Sequence, residues 1–86
     1  MRKLPLIVVE WDDITTHTGW EYEDKDCTDY VLHCVSVGWQ VKSNRKYLVI
    51  SPMRSYYQNL KRSKCDDRQI IPRGCITKIR RIEEGV

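Results

Sequence analysis

Residues 30–42, YVLHCVSVGWQVK, alternate with a period of two for more than ten positions. Val31, Val35, Val37, Trp39 and Val41 fall on one face, and Leu32, Cys34, Ser36, Gly38 and Gln40 on the other. A helix would place its apolar residues three and four apart, so this pattern predicts a long strand with its valine face toward the core. Gly38 inside it predicts a bend or a close backbone approach, of the kind a small barrel needs where a strand crosses between half-sheets.

Working outward, Ser43-Asn44 predicts a tight turn into a strand over residues 45–51, which makes an antiparallel hairpin that Pro52 ends. Upstream, residues 4–11 read as a strand with Ile7, Val9 and Trp11 on one face and Leu6, Val8 and Glu10 on the other. Both faces start apolar, which fits a strand covered on two sides or one that meets another subunit. Residues 69–71 predict a short strand, Pro72-Arg73-Gly74 a turn, and residues 75–82 the last strand. The predicted fold is all-β, mainly antiparallel: a small SH3-like or Sm-like barrel of about five strands, with room for one short helical turn in 53–67. An open sheet carrying one short helix is the alternative. The expected core is Val9, Trp11, Val35, Val37, Trp39, Val49, Ile71 and Ile79.

The composition agrees. The chain has 86 residues and 10.3 kDa, enough for one domain spanning 1–86. Eight Ile, eight Val and five Thr occur with no Ala and no Phe, which suits pleated strands better than a helical bundle. The longest strictly apolar run, Leu6 to Val9, is far short of a transmembrane helix. Met1-Arg2-Lys3 leads into only that short apolar stretch, so a secretory leader is not expected and the setting reads as cytoplasmic.

Cys27, Cys34, Cys65 and Cys75 form no C-x-x-C pair, and a cytoplasmic setting keeps thiols reduced. They read as small buried hydrophobes, with no metal and no cofactor. Residues 10–30 carry eight acids against Lys25, whereas residues 31–81 carry twelve bases against Asp66 and Asp67. The net of +3 hides this division. It gives the folded domain two surfaces of opposite sign, or two blocks that neutralise each other.

Catalysis finds little support. The chain has no nucleophile elbow, phosphate-binding loop or His-Glu-x-x-His, and His17 and His33 are its only histidines to serve as acid–bases. The reading is a binding protein and not an enzyme. The candidate ligand site is the connection 53–67, where Arg54, Lys61, Arg62 and Lys64 supply charge and Tyr56 and Tyr57 supply stacking faces. Arg68 and Arg73 extend it with planar forks that match phosphate oxygens, and Trp20, after Gly19 in a polar stretch, adds a further stacking platform.

The order V-x-W-x-D (Val9, Trp11, Asp13), GW (Gly19, Trp20), SVGW (Ser36 to Trp39), IPxxxI (Ile71, Pro72, Ile76) and IxxI (Ile79, Ile82) resembles a group of small bacteriophage accessory proteins. It spans residues 8 to 82 and departs from that pattern in 53–67, whose function therefore rests on its own residues. The resemblance implies a viral product in a bacterial cytoplasm, where counter-defence is a common role. Three readings follow. The chain captures a nucleotide-like anion such as an immune signal, it is a decoy that binds a host defence protein through the acidic segment 10–29, or it is an Sm-like RNA- or DNA-binding module. Its small interior and two-sided first strand also predict a homo-oligomer.

Overall fold

Alternating apolar residues in residues 6–13 and 32–43 pair as the first two strands, β1 (Leu6–Asp13) and β2 (Leu32–Ser43). Their antiparallel register sets Leu6 opposite Trp39, Val8 opposite Val37 and Trp11 opposite Cys34. The computed structural model describes residues 3–13, 20, 22–24, 31–56 and 63–83. Asn44 then reverses the chain: its side-chain oxygen accepts the backbone N–H groups of Lys46 and Tyr47, both at 2.8 Å. Asparagine does this well because its short amide mimics a backbone turn. The return strand is β3 (Tyr47–Ser51), and Pro52 follows it as expected.

Beyond Pro52 the expectation of a loop is corrected. Met53–Tyr56 (β4) and Ser63–Asp66 (β5) pair with each other as a separate two-stranded arm, and neither is helical. The chain leaves the arm through Asp67, whose positive φ of 53° is one that aspartate tolerates. It then forms β6 (Gln69–Pro72), a 3₁₀ turn (Arg73–Cys75) and β7 (Ile76–Ile82). The five-stranded sheet has the order β6-β3-β2-β1-β7 with every neighbour antiparallel. Among the described residues no ladder joins β6 to β7, so the sheet is open at both edges. No described helix is long and apolar enough to cross a membrane.

The packed cluster lies on one side of this sheet, while Val8 is buried on the other. Ile7 and Val9 of β1 meet Leu48 and Ile50 of β3 and Ile71 of β6, with Trp11 and Ile76 packed at the margin. Trp11 also donates its indole N–H to the Ser36 hydroxyl at 2.9 Å. The face that β2 turns toward this core is therefore the small one, with Cys34, Ser36 and Gly38, and not the valine face. Val35 and Val37 are 65% and 51% exposed, Ile79 is also exposed, and Trp39 and Val49 are half-buried on the outer side.

Gly38 supplies the physical reason. A Cβ there would lie 2.8 Å from the Ser51 carbonyl oxygen, so the end of β3 closes over β2 at a distance only glycine permits. Bulges at Gln40/Lys42 and Glu10/Trp11 add curvature at the same level. Of the expected core, Val9 and Ile71 are buried and Trp11 is marginal, while Val35, Val37, Trp39, Val49 and Ile79 lie outside it.

Candidate functional site

Ser51 anchors the arm. Its side chain is fully buried, and its hydroxyl lies 2.8 Å from the Met53 carbonyl and 2.5 Å from the Asp66 carbonyl, while it accepts the Met53 N–H at 3.3 Å. One hydroxyl thus ties the first residue of β4 to the last residue of β5. Ser51→Ala is expected to cost about 1–3 kcal/mol, because the one hydroxyl proton shared by the two carbonyls is lost together with the oxygen that accepts the Met53 N–H. Amide exchange should then quicken in the arm well before it does in Leu48 and Ile50. Equal exchange in the two places would show that the hydroxyl does not hold the arm.

Within the arm, Arg54 stands opposite Cys65 and Ser55 opposite Lys64. The alternation of a strand pair puts Arg54, Ser63 and Cys65 on one face and Met53, Ser55, Lys64 and Asp66 on the other. Arg54 is half-buried and its guanidinium donates to the Ser63 hydroxyl at 3.3 Å. Lys64 is exposed. Tyr56 ends β4 opposite Ser63. Tyr57, Lys61 and Arg62 lie outside the described residues.

Arg68 and Arg73 do not belong to one ligand grip. They flank opposite ends of β6, five residues apart, which at about 3.3 Å per residue separates them by roughly 16 Å. Arg73 is also occupied: its Nε donates to the Asn44 carbonyl at 3.0 Å, Nη2 donates to the Ser43 hydroxyl, and its backbone N–H donates to the Lys46 carbonyl at 2.9 Å. It fastens the 3₁₀ turn to the β2–β3 turn. Arg68 is exposed beside the root of the arm and remains compatible with a site there. Trp20 is fully exposed, as is most of Tyr22, with exposed Glu23 and Asp24 following.

A basic surface that motif reading passed over is the edge strand β7, where Lys78, Arg80 and Arg81 are all exposed. Its signal was the alternation T-K-I-R-R over residues 77–81. The register places Lys78 opposite Glu10 and Arg80 opposite Val8, so the acidic and basic blocks meet along β1 and β7. At the far end of β1, the Asp12 carboxylate and His33 Nδ1 lie 2.6 Å apart, and the His33 side chain is mostly solvent-facing. The expected opposition of His33 and Cys34 on β2 holds, since Cys34 is half-buried beside Trp11 in the register. Cys34, Cys65 and Cys75 are free thiols, and Cys27 lies outside the described residues. Among the described residues no three His, Cys, Asp or Glu side chains gather as metal ligands would.

The chain matches no protein-family model, no curated protein and no solved structure.

Proposed function

We propose that this chain is a non-enzymatic binding module that captures an anionic, nucleotide-like ligand at its β4–β5 arm. The observation that carries the reading is the arm itself. A two-stranded extension outside the main sheet, rooted on Ser51, presents Lys64 on one face and Arg54 on the other, with exposed Arg68 at its base. Extensions of this kind on a rigid sheet commonly carry binding function, and ammonium and guanidinium groups supply the donors and positive charge that phosphate takes. The order β6-β3-β2-β1-β7, with a 3₁₀ turn before the last strand, supports an SH3-like barrel connectivity in which the arm replaces a hairpin turn. Likeness to small bacteriophage proteins adds the setting: a counter-defence product in a host cytoplasm that withdraws a signalling nucleotide.

A labelled adenine nucleotide and a labelled single-stranded oligonucleotide serve as probes. Lys64→Glu with Arg68→Glu should leave thermal stability nearly unchanged, since exposed substitutions shift it by only about ±0.5 kcal/mol. Binding should fall by more than a hundredfold, because each charge-assisted contact is worth roughly 1.5–3 kcal/mol. Salt separates the ligand classes. An oligonucleotide held at six phosphates loses on the order of 10³-fold between 50 and 200 mM salt, and a mononucleotide far less. Undiminished binding of both probes by the double variant removes the arm from the site.

One observation favours a second reading, the protein decoy. Trp20 and Tyr22 stand exposed among acids, and exposed aromatic residues are frequent anchors of protein contacts. Trp20→Ala should then abolish capture of a host defence protein while nucleotide binding persists.

A further inference from the structure

We propose that the outer face of the five-stranded sheet is the contact face of a symmetric dimer of this chain. The sheet is apolar on both sides. Its inner side is filled by Ile7, Val9, Leu48, Ile50 and Ile71. Its outer side carries exposed Val35, Val37 and Ile70 with half-buried Trp39 and Val49, brought onto one surface by the register beside Val8, which is already buried. An antiparallel sheet with one solvated face normally alternates apolar and polar residues, so a second apolar face marks a surface meant to be covered.

Three observations select a second copy as the cover. The first is position: β2 is the middle strand, so Val35 and Val37, 65% and 51% exposed, sit at the centre of the face. A two-fold axis passing there sets valine on valine, which is the self-complementarity an isologous contact requires. The second is charge. Val35, Val37 and Trp39 form an uncharged row along β2, flanked by Glu10 directly opposite Val35, by Asp12 toward the end of β1, and by Lys78 and Arg80 on the β7 edge. A rim of both signs suits a copy of itself better than a partner of one sign, and an apolar centre with a charged rim is the ordinary anatomy of an interface. The third is area. Five strands about 4.8 Å apart and about seven residues long present on the order of 500 Å². Two such faces remove on the order of 1,000 Å² from water, the threshold for a specific interface. The result is an aligned sandwich of two sheets, about 10 Å apart.

The test is sedimentation velocity of the full chain over a micromolar dilution series, without any ligand. The wild type should be a dimer that dissociates on dilution. Val37→Glu and Val37→Lys should each be monomeric, with affinity weakened by at least about a hundredfold, because each buries like charges against itself. Mixing the two variants should restore a dimer, which only a contact between copies can do. The same exchange at Val35, the more exposed of the two, covers the case in which either Val37 variant misfolds. A wild type that stays monomeric at high micromolar concentration overturns the proposal, as does a dimer indifferent to all four variants. Variants that dissociate but do not reassociate on mixing overturn it equally. None of these outcomes touches nucleotide binding by the arm, which is measured on other residues.

Discussion

Leu48→Ala is expected to lower the free energy of unfolding by about 2–5 kcal/mol. Leu48 is wholly buried, and it sits where β3 passes between β2 and β6, opposite Ile71 on one side and Ser43 on the other. The removed methyl groups lose their transfer free energy, and the cavity they leave is framed by paired strands that relax little. In a small domain stabilised by only about 5–15 kcal/mol, that loss is large. At about 4–8 °C per kcal/mol, the midpoint of thermal unfolding should fall by at least 8 °C or so. Urea titration with an unchanged slope gives the free energy directly. A wild-type midpoint would mean that the packed layer is not centred on β3.

Gly38→Ala should be the second severe substitution, although it adds one methyl group to a strand. That methyl would lie 2.8 Å from the Ser51 carbonyl oxygen, 3.0 Å from its carbon and 3.3 Å from its nitrogen. These are backbone atoms, fixed by the pairing of Ser51 with Trp39, so no side chain can swing away to make room. Overpacking of this kind costs about 1–3 kcal/mol, and Gly38→Val should cost more. The ordinary expectation runs the other way, since Gly→Ala at an unstrained position gains about 0.4–1 kcal/mol from the unfolded state. Thermal unfolding of the alanine variant therefore decides by its sign. A raised midpoint would refute the close approach of β3 to β2.

Most of the strand positions in the main sheet were legible in the residues, and the orientation of one strand was not. Alternation in 30–42 located β2 to within two residues, and Asn44, Pro52 and Pro72-Arg73-Gly74 located the breaks. Period two, however, says only that two faces differ. Val35 and Val37 look like core because they are apolar, yet the inner side of β2 is chosen by room. Gly38 alone is small enough to lie beneath the chain at Ser51, and on the same side Ser36 and Cys34 leave room beside Val9 and Trp11. The arm was hidden for another reason: residues 53–66 are polar, lack glycine, and show no alternation strong enough to mark a strand. The tie made by Ser51 spans fifteen residues, and that between Arg73 and Asn44 spans twenty-nine. Contacts that distant leave no local trace, so the tie of Arg73 to the β2–β3 turn could not be read from its neighbours in sequence.

The neighbouring of β1 and β7 also sets the order of events when the chain is made. Leu6 pairs with Ile82, a separation of nearly the whole chain, and β2 reaches β1 only across the segment 14–31. Closing such long loops precedes most of the reward in contacts, so this topology belongs with domains that fold in milliseconds to seconds, not microseconds. On the ribosome, Leu6-Ile7-Val8-Val9 emerges well before its partner on one side, because the paired run Ile76–Ile82 is made some seventy residues later. Until Ile76–Ile82 arrives, that run presents an open, uncharged strand edge, the form in which nascent chains aggregate. Lys78, Arg80 and Arg81 then close the exposure twice over: they complete the pairing of β1, and they place charge on the edge that remains.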